Sequence, residues 1–212
     1  MYSVWFYTTA EYSLMLRGLP RDASFWRFLF SIDQDLAETA RKNACPCGGR
    51  LHRANYPRKP RGSEELPEPY GFRLSFCCDH EGCRKRVTPP SVRFLGRKVY
   101  LGAVVILVAA MRQGPSPRRV AELSRLFGAD RRTIGRWQVF WRELFPQTPF
   151  WKVARGRLPA VDVAVLPRSL LEAFVRGDDN HHGDDDQHGW GKLLLFLSPI
   201  TIRGGLSIEV SQ

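Results

Sequence analysis

The sequence predicts an α+β protein, and three observations point to that class. All five cysteines fall in two short stretches, "CPCGG" (45–49) and "CCDHEGC" (77–83). Two β-like runs, "RLHRANY" and "YGFRLSF", lie between the cysteine stretches. Apolar residues with helical spacing come before and after this region. With 212 residues, 43% of them hydrophobic, the chain is long enough to bury a sizeable core.

The chain divides into four predicted regions. An N-terminal helical and aromatic segment covers 1–44, a cysteine region 45–92, a helical bundle 97–146 and a C-terminal extension 147–212. In the first region, apolar residues recur at three- and four-residue steps, as on one face of a helix: Phe25, Phe28, Leu29, Ile32 and Leu36. No internal repeat is visible.

The charge is strongly positive and unevenly placed. The whole chain carries a formal net charge of +11. Residues 41–142 hold 22 Lys/Arg against 7 Asp/Glu, a local +15, so the rest of the chain sums to −4. An imbalance of this kind favours a polyanionic partner, and it assigns the contact to the middle of the chain.

The sequence predicts a cytoplasmic, nucleoid-associated protein without a membrane span. Its first residues lack the basic and small-residue pattern of a signal peptide. The apolar run "VYLGAVVILVAAM" (99–111) is shorter than the roughly 20 residues that a transmembrane helix needs. We therefore expect it to form a buried helix.

The cysteines predict a zinc site. Disulfides are rare in the cytosol, and an odd number of cysteines pairs poorly. Zinc takes four ligands at tetrahedral corners, and two close pairs held by turns supply them without a large core. The predicted ligands are Cys45, Cys47, Cys78 and Cys83. The runs between the two pairs would form a β-hairpin, which gives the outline of a zinc ribbon.

Some details of this site stay open at the level of sequence. Cys77 and His80 are alternatives to Cys78, and His52 is a weaker candidate. The C-x-C and C-x4-C spacings depart from the more common C-x2-C. Glycines beside the cysteines are expected to let the chain turn tightly while backbone N–H groups point at the sulfurs.

Residues 116–144 have the pattern of a helix-turn-helix. The first helix would end at Gly128, which suits a left-handed position, and Asp130 would cap the second helix. The inward positions expected on the first helix are Val120, Ala121, Leu123 (or Ser124) and Phe127. The apolar residues expected on one face of the second helix are Ile134, Trp137, Trp141, Leu144 and Phe145.

The opposite face of the second helix predicts a DNA contact. Helical geometry places Arg132, Gly135, Arg136 and Val139 there, flanked by Arg131 and Arg142. A basic stripe with one small residue suits a major-groove recognition helix. The predicted DNA-binding residues of the two helices are Arg118, Arg119, Arg131, Arg132, Thr133, Arg136, Val139 and Arg142. The loop "PRKPRG" adds Arg58, Lys59 and Arg61 as contacts to phosphates or a minor groove.

Three stretches of the sequence carry a resemblance to a known family: "CPCGG", "CCDHEGCRKRVTPPSVRFLGR" and "VAELSRLFGADRRTIGRW". Together they resemble the zinc-ribbon plus helix-turn-helix proteins associated with bacterial insertion sequences and transposases. The resemblance covers about residues 40–150. It implies a role in binding the DNA of a mobile element, with a transposase or another mobile-element protein as a partner.

The sequence predicts binding without catalysis. Transposases of this kind carry a further domain with three metal-binding carboxylates, and we expect no room for it after Pro146. The candidate carboxylates are Asp162, Glu172 and the tract 178–186, which is predicted to be a solvated loop; His181, His182 and His188 could add a weak metal site. The alternatives are a metal-dependent nuclease or transposase that uses this tract, and an oligomerising protein that binds nucleic acid non-specifically. RNA stays open as a partner, because its phosphates attract cations equally.

Overall fold

The computed structural model describes residues 23–58, 68–94, 102–109, 117–127, 129–158, 160–175 and 184–201. Their helices and short antiparallel strands confirm the α+β class. The helices of eight or more residues are α1 (Ala23–Lys42), α2 (Gly102–Ala109), α3 (Pro117–Phe127), α4 (Arg131–Val139), α6 (Arg168–Val175) and α7 (Asp184–Leu197), and a short α5 (Pro149–Ala154) lies between α4 and α6. The strands are β1 (Leu51–Arg53), β2 (Tyr56–Pro57), β3 (Phe72–Arg73), β4 (Phe76–Cys78) and β5 (Arg86–Val87).

The strands form the predicted hairpin and extend it by one strand. β1 pairs antiparallel with β4, with Leu51 opposite Cys78, and β2 pairs with β3 further along the hairpin. β5 adds to the other edge of β4, so the larger sheet has the order β1-β4-β5. Because side chains alternate along a strand, this register separates an inner face from an outer face. The inner face packs into a small core of Ala37, Cys45, Leu51, Phe76 and Cys78.

Three helices occupy residues 102–139, as predicted for the bundle, but the last one changes its pitch. After α4 the chain continues as one π-helical turn, Phe140–Leu144, in which the N–H of Phe145 reaches back to the carbonyl of Phe140. The wider turn rotates the following residues. As a result Trp141 and Phe145 are fully buried, whereas Leu144 is 48% exposed. The prediction that Leu144 lies on the inner face is therefore wrong.

The first helix of the pair also differs from its prediction in one detail. Leu123 is buried and Val120 is half-buried, but Ala121 and Ser124 are exposed. The apolar stripe of α3 is thus centred on Leu123, and the expectation that Ala121 faces inward is wrong. Gly128 and the side chain of Phe127 lie outside what the structure describes.

The large core draws on most of the chain. Phe25, Trp26 and Leu29 of α1 belong to the same cluster of buried residues as Ile106 of α2 and Ile134 of α4. The predicted C-terminal extension contributes to the same cluster. Its buried members include Trp151, Leu170, Leu171, Trp190, Leu193, Leu194 and Leu197. α7 packs against both α1 and α2, and α6 packs against α2, so the C-terminal helices connect the N-terminal helix with the helical bundle.

A buried ion pair connects α1 with the segment that follows β5. Arg93 donates from Nε to Oδ2 of Asp33 at 2.8 Å, and both side chains are at most 1% exposed. The same carboxylate accepts from Ser91 Oγ and from the backbone N–H of Val92, each at 2.7 Å. Arg93 also donates to the carbonyls of Tyr70 and Phe72, next to β3. The pair therefore joins α1, the hairpin and the entry to the helical core.

Part of the acidic tract is helical. Helix α7 begins at Asp184 and runs to Leu197, so the prediction of a loop is wrong for 184–186; residues 176–183 lie outside the described part. Of the helices in the described ranges, each is too short or too polar to cross a bilayer.

Candidate metal centre and nucleic-acid interface

Four cysteine thiols converge at the end of the β-sheet. The Sγ atoms of Cys45, Cys47, Cys78 and Cys83 all lie within 4.8 Å of one another. Cys47 Sγ lies 3.4 Å from those of Cys45 and Cys78, and Cys45 lies 3.7 Å from Cys83. Thiolates about 2.3 Å from one tetrahedral ion would be about 3.8 Å apart. The spacing therefore fits one metal ion.

Two similar turns hold the thiols. The N–H of Gly48 donates to the carbonyl of Cys45 at 2.8 Å, and that of Cys83 donates to the carbonyl of His80 at 2.9 Å. In each turn the residue after the second cysteine has a positive φ, +83° at Gly48 and +45° at Arg84. Glycine adopts this conformation without strain, whereas other residues do so at a cost.

Backbone N–H groups and burial push the thiol pKa values apart. The N–H of Gly49 and hydrogen bonds from the other cysteines lower the pKa of Cys47 to about 6. Burial raises the pKa of Cys78 to about 12. At neutral pH the Cys47 thiol is therefore readily ionised, whereas the Cys78 thiol keeps its proton. A bound divalent ion would stabilise the deprotonated form of each ligand thiol.

The packing around Cys78 leaves no room for a side chain at position 49. A Cβ on Gly49 would lie 2.4 Å from Sγ of Cys78 and 2.9 Å from Cβ of His80. At Gly48 a Cβ would meet nothing within 4 Å. The two adjacent glycines thus have different roles, since Gly48 makes the turn and Gly49 allows the close approach of the second cysteine pair.

The three alternative ligands lie outside the cysteine cluster. Cys77 points to the outer face, where its thiol donates to the carbonyl of Arg84 at 3.5 Å. His80 and His52 are exposed. His52 Nε2 instead contacts Asp79 Oδ2 at 3.2 Å, and this contact is the first cause of the lowered pKa of Asp79. Among the described residues, Cys78 therefore completes the set with the three other cysteines.

The turn before α4 is built as predicted. Asp130 Oδ1 accepts the backbone N–H of Thr133 at 2.6 Å, which confirms Asp130 as the N-cap. Ile134 is fully buried and anchors the helix in the large core. The same anchoring fixes which face of α4 meets solvent.

The arginines and Val139 predicted to line the contact face of α4 are exposed, whereas Thr133, predicted as a further DNA contact, is not. Arg131, Arg132, Arg136 and Arg142 are exposed, and Val139 is 38% exposed. Thr133 is only 6% exposed, because its side chain turns into the helix packing and its Oγ1 accepts from Arg136 at 2.9 Å. Little of the Thr133 side chain is therefore accessible to a ligand, and its hydroxyl accepts a hydrogen bond from Arg136.

The remaining predicted contacts are only partly described. Arg118 is exposed at the start of α3, and the side chain of Arg119 is outside the described set. Arg58 is half-buried, with its guanidinium carbon 5.4 Å from the ring centre of Tyr56. Lys59 and Arg61 fall in the undescribed range 59–67.

The described candidate carboxylates have structural partners. Asp162 Oδ1 accepts the N–H of Ala164 at 2.9 Å, and Glu172 pairs with Arg168 at 3.0 Å. Asp178, Asp179, His181 and His182 lie outside the description, as do the side chains of Asp184, Asp185, Asp186 and His188. Among the described residues, the four cysteines are the group placed to hold a metal ion.

The fold and site thus define a mostly helical protein with a small β-sheet and a cluster of four cysteines that is placed to bind a metal ion. Comparison with protein-family models, curated proteins and solved structures finds no match to this chain.

Proposed function

We propose that this protein is a zinc-containing DNA-binding protein in which α3 and α4 form a helix-turn-helix and the β-hairpin forms a zinc ribbon. On this proposal Cys45, Cys47, Cys78 and Cys83 bind one Zn²⁺ ion, which stabilises the ribbon. The ion has a structural role, because four thiolates leave no open position for a substrate. The exposed face of α4 would enter the major groove of duplex DNA.

One observation carries the DNA-binding proposal. Gly135 lies in the middle of α4 between Arg132 and Arg136, where a Cβ would meet nothing within 4 Å. Glycine inside a helix costs about 0.5–1 kcal/mol relative to alanine, and the packing of the described residues does not require it. A partner that approaches the helix backbone closely would give the glycine a purpose.

The side chains around Gly135 suit a base-reading surface. An arginine can donate two hydrogen bonds to O6 and N7 of guanine, which discriminates by roughly 1–3 kcal/mol. The hydrogen bond from Arg136 to Thr133 fixes that guanidinium before binding. Val139 adds an exposed apolar group that fits a thymine methyl.

Substitutions at Gly135 test this proposal. We expect Gly135→Ala to raise the free energy of unfolding by about 0.5–1 kcal/mol, and Gly135→Leu to weaken binding to duplex DNA while the protein stays folded. Gly156, which also has nothing within 4 Å of its Cβ position, provides the matched control as Gly156→Leu. Unchanged affinity in Gly135→Leu would contradict a major-groove role for α4.

A pair of arginines separates base reading from charge. Arg136→Ala should relax the preference at one or two positions of a binding site, whereas Arg118→Ala should weaken binding to every sequence alike. Both variants must be compared at one salt concentration, because phosphate contacts make affinity depend on salt. Equal and uniform losses would make the protein a non-specific binder.

The assignment to a mobile element is supported by the resemblance of the cysteine and helix motifs to insertion-sequence proteins. On that basis we propose terminal-repeat or promoter DNA as the target, and a transposase as a protein partner.

A further inference from the structure

The β-sheet carries a second basic surface, separate in the fold from α4. On the larger sheet His52, Cys77 and Arg86 form one row on the outer face, opposite the small core. Arg86 in this row is exposed, as are Arg50 and Arg84, each two residues before a member of the row. Among the described side chains of residues 45–94, the exposed acids are Asp79 and Glu81. Asp79 is engaged by His52 and by the N–H of Arg50, so cations dominate this face.

An aromatic ring orders two of these cations. The guanidinium carbons of Arg58 and Arg86 each lie 5.4 Å from the centre of the Tyr56 ring. Arg86 is held further by hydrogen bonds from Nη1 to the carbonyl of Ala54 at 2.8 Å and to Ser75 Oγ at 2.9 Å. Guanidinium groups fixed in this way lose less entropy when they bind, and their planar forks match the oxygens of a phosphate.

The backbone conformation of Arg84 independently indicates that this part of the sheet surface has a function. Arg84 has φ +45°, and the corresponding position of the other cysteine turn is Gly48. A glycine at 84 would keep both backbone contacts, the N–H to His80 and the carbonyl to the Cys77 thiol, and would remove the strain. An arginine in this conformation destabilises the turn, and strained backbone tends to be kept where the residue has a function.

We propose that Tyr56, Arg58, Arg84 and Arg86 form a second DNA contact, which binds the phosphate backbone of the duplex and carries no sequence preference. This inference rests on the proposed function, because the duplex is the same partner. It assigns the metal-stabilised sheet a direct role in binding, in addition to the recognition surface on α4.

Arg84→Gly is the sharpest test, because a structural role and a binding role predict opposite effects. We expect its thermal midpoint with zinc bound to equal or exceed that of the wild type. Its affinity for a labelled 30-base-pair duplex of random sequence should fall, and the slope of log affinity against log salt should become shallower by about one unit. Arg157→Ala, an exposed arginine outside 41–142, is the charge-matched control and should leave both quantities unchanged.

Variants of Tyr56 test the ordering of the cations. Tyr56→Phe keeps the aromatic face and should bind as the wild type does, while Tyr56→Leu should bind more weakly at the same salt concentration.

The proposal is overturned if Arg84→Gly binds with the slope and affinity of Arg157→Ala. If Arg136→Ala still relaxes sequence preference in that case, the role of α4 stands and only the sheet contact falls. Absence of duplex binding by the wild type would instead overturn the proposed function itself.

Discussion

Gly49→Ala should damage the metal site far more than the same change at Gly48. A methyl carbon at Gly49 would lie 2.4 Å from Sγ of Cys78, while such carbons are essentially never closer than 3.0 Å to a neighbouring atom. The two atoms must therefore move apart by at least 0.6 Å, the difference between these distances. Metal–ligand distances tolerate only about 0.2 Å. If Sγ of Cys78 makes this movement, it leaves its position as a metal ligand; if the methyl group makes it, the backbone of the first cysteine turn must shift.

The matched control is Gly48→Ala, which adds the same methyl group one residue earlier. Nothing lies within 4 Å of that position, so the variant has only the strain of its positive φ, about 1–2 kcal/mol. The assay is a zinc titration against a chelator of known affinity. We expect Gly49→Ala to lose at least about tenfold in zinc affinity, the lower end of the effect of removing supporting groups. Equal zinc affinity in the two variants would refute the packing argument.

Two further predictions concern the fold around the sites. Asp33→Ala should lower the free energy of unfolding, measured by urea denaturation, by about 3–5 kcal/mol, because it leaves Arg93 buried without a counter-charge. The control Glu38→Ala breaks the exposed pair with Arg41 and should lower the same free energy by less than about 1 kcal/mol. Similar losses in the two variants would contradict the role of the buried pair. The hydrogen bond from the N–H of Thr133 holds the pKa of the Asp130 carboxyl in the folded protein below its usual value. The negative charge of Asp130 therefore stabilises the fold fully above about pH 4, and this contribution is lost as pH falls through the lower pKa of the folded state. Asparagine caps helices equally well but does not titrate. The difference in free energy of unfolding between the wild type and Asp130→Asn, measured at several pH values, should therefore become smaller below about pH 4. A difference that stays constant with pH would contradict the role of the Asp130 charge.

Local features were predictable from the sequence, since the residues that make them are close together. The cysteine pairs, the hairpin between them and the Asp130 cap each depend on short spacings, and the described structure contains all three. The choice of Cys78 over Cys77 follows from strand alternation, because Leu51 and Cys78 face each other on the inner side of the sheet. Sequence spacing alone left that choice open.

Long-range and pitch-dependent features were not predictable. Asp33 and Arg93 are separated by sixty positions, and each resembles an ordinary surface charge in its local sequence. Arg93 contributes to the positive charge of residues 41–142, but its guanidinium is fully buried and cannot contact a polyanion. Leu144 lies away from the predicted inner face because the prediction assumes a regular α-helix, whereas the chain makes a π-helical turn. The run Arg84, Lys85, Arg86 is visible in the sequence as charge, but the position of the Arg86 guanidinium over the Tyr56 ring appears only in the fold.

The most direct test of the account is selection of bound sequences from a random duplex DNA pool by the zinc-loaded protein at one fixed salt concentration. Reading by Arg132 and Arg136 predicts that the recovered sequences share a short motif with guanine at one or more positions. The same selection with Arg136→Ala should lose the preference at one or two of those positions. A recovered pool that stays as random as the starting pool would contradict sequence-specific DNA binding by this protein.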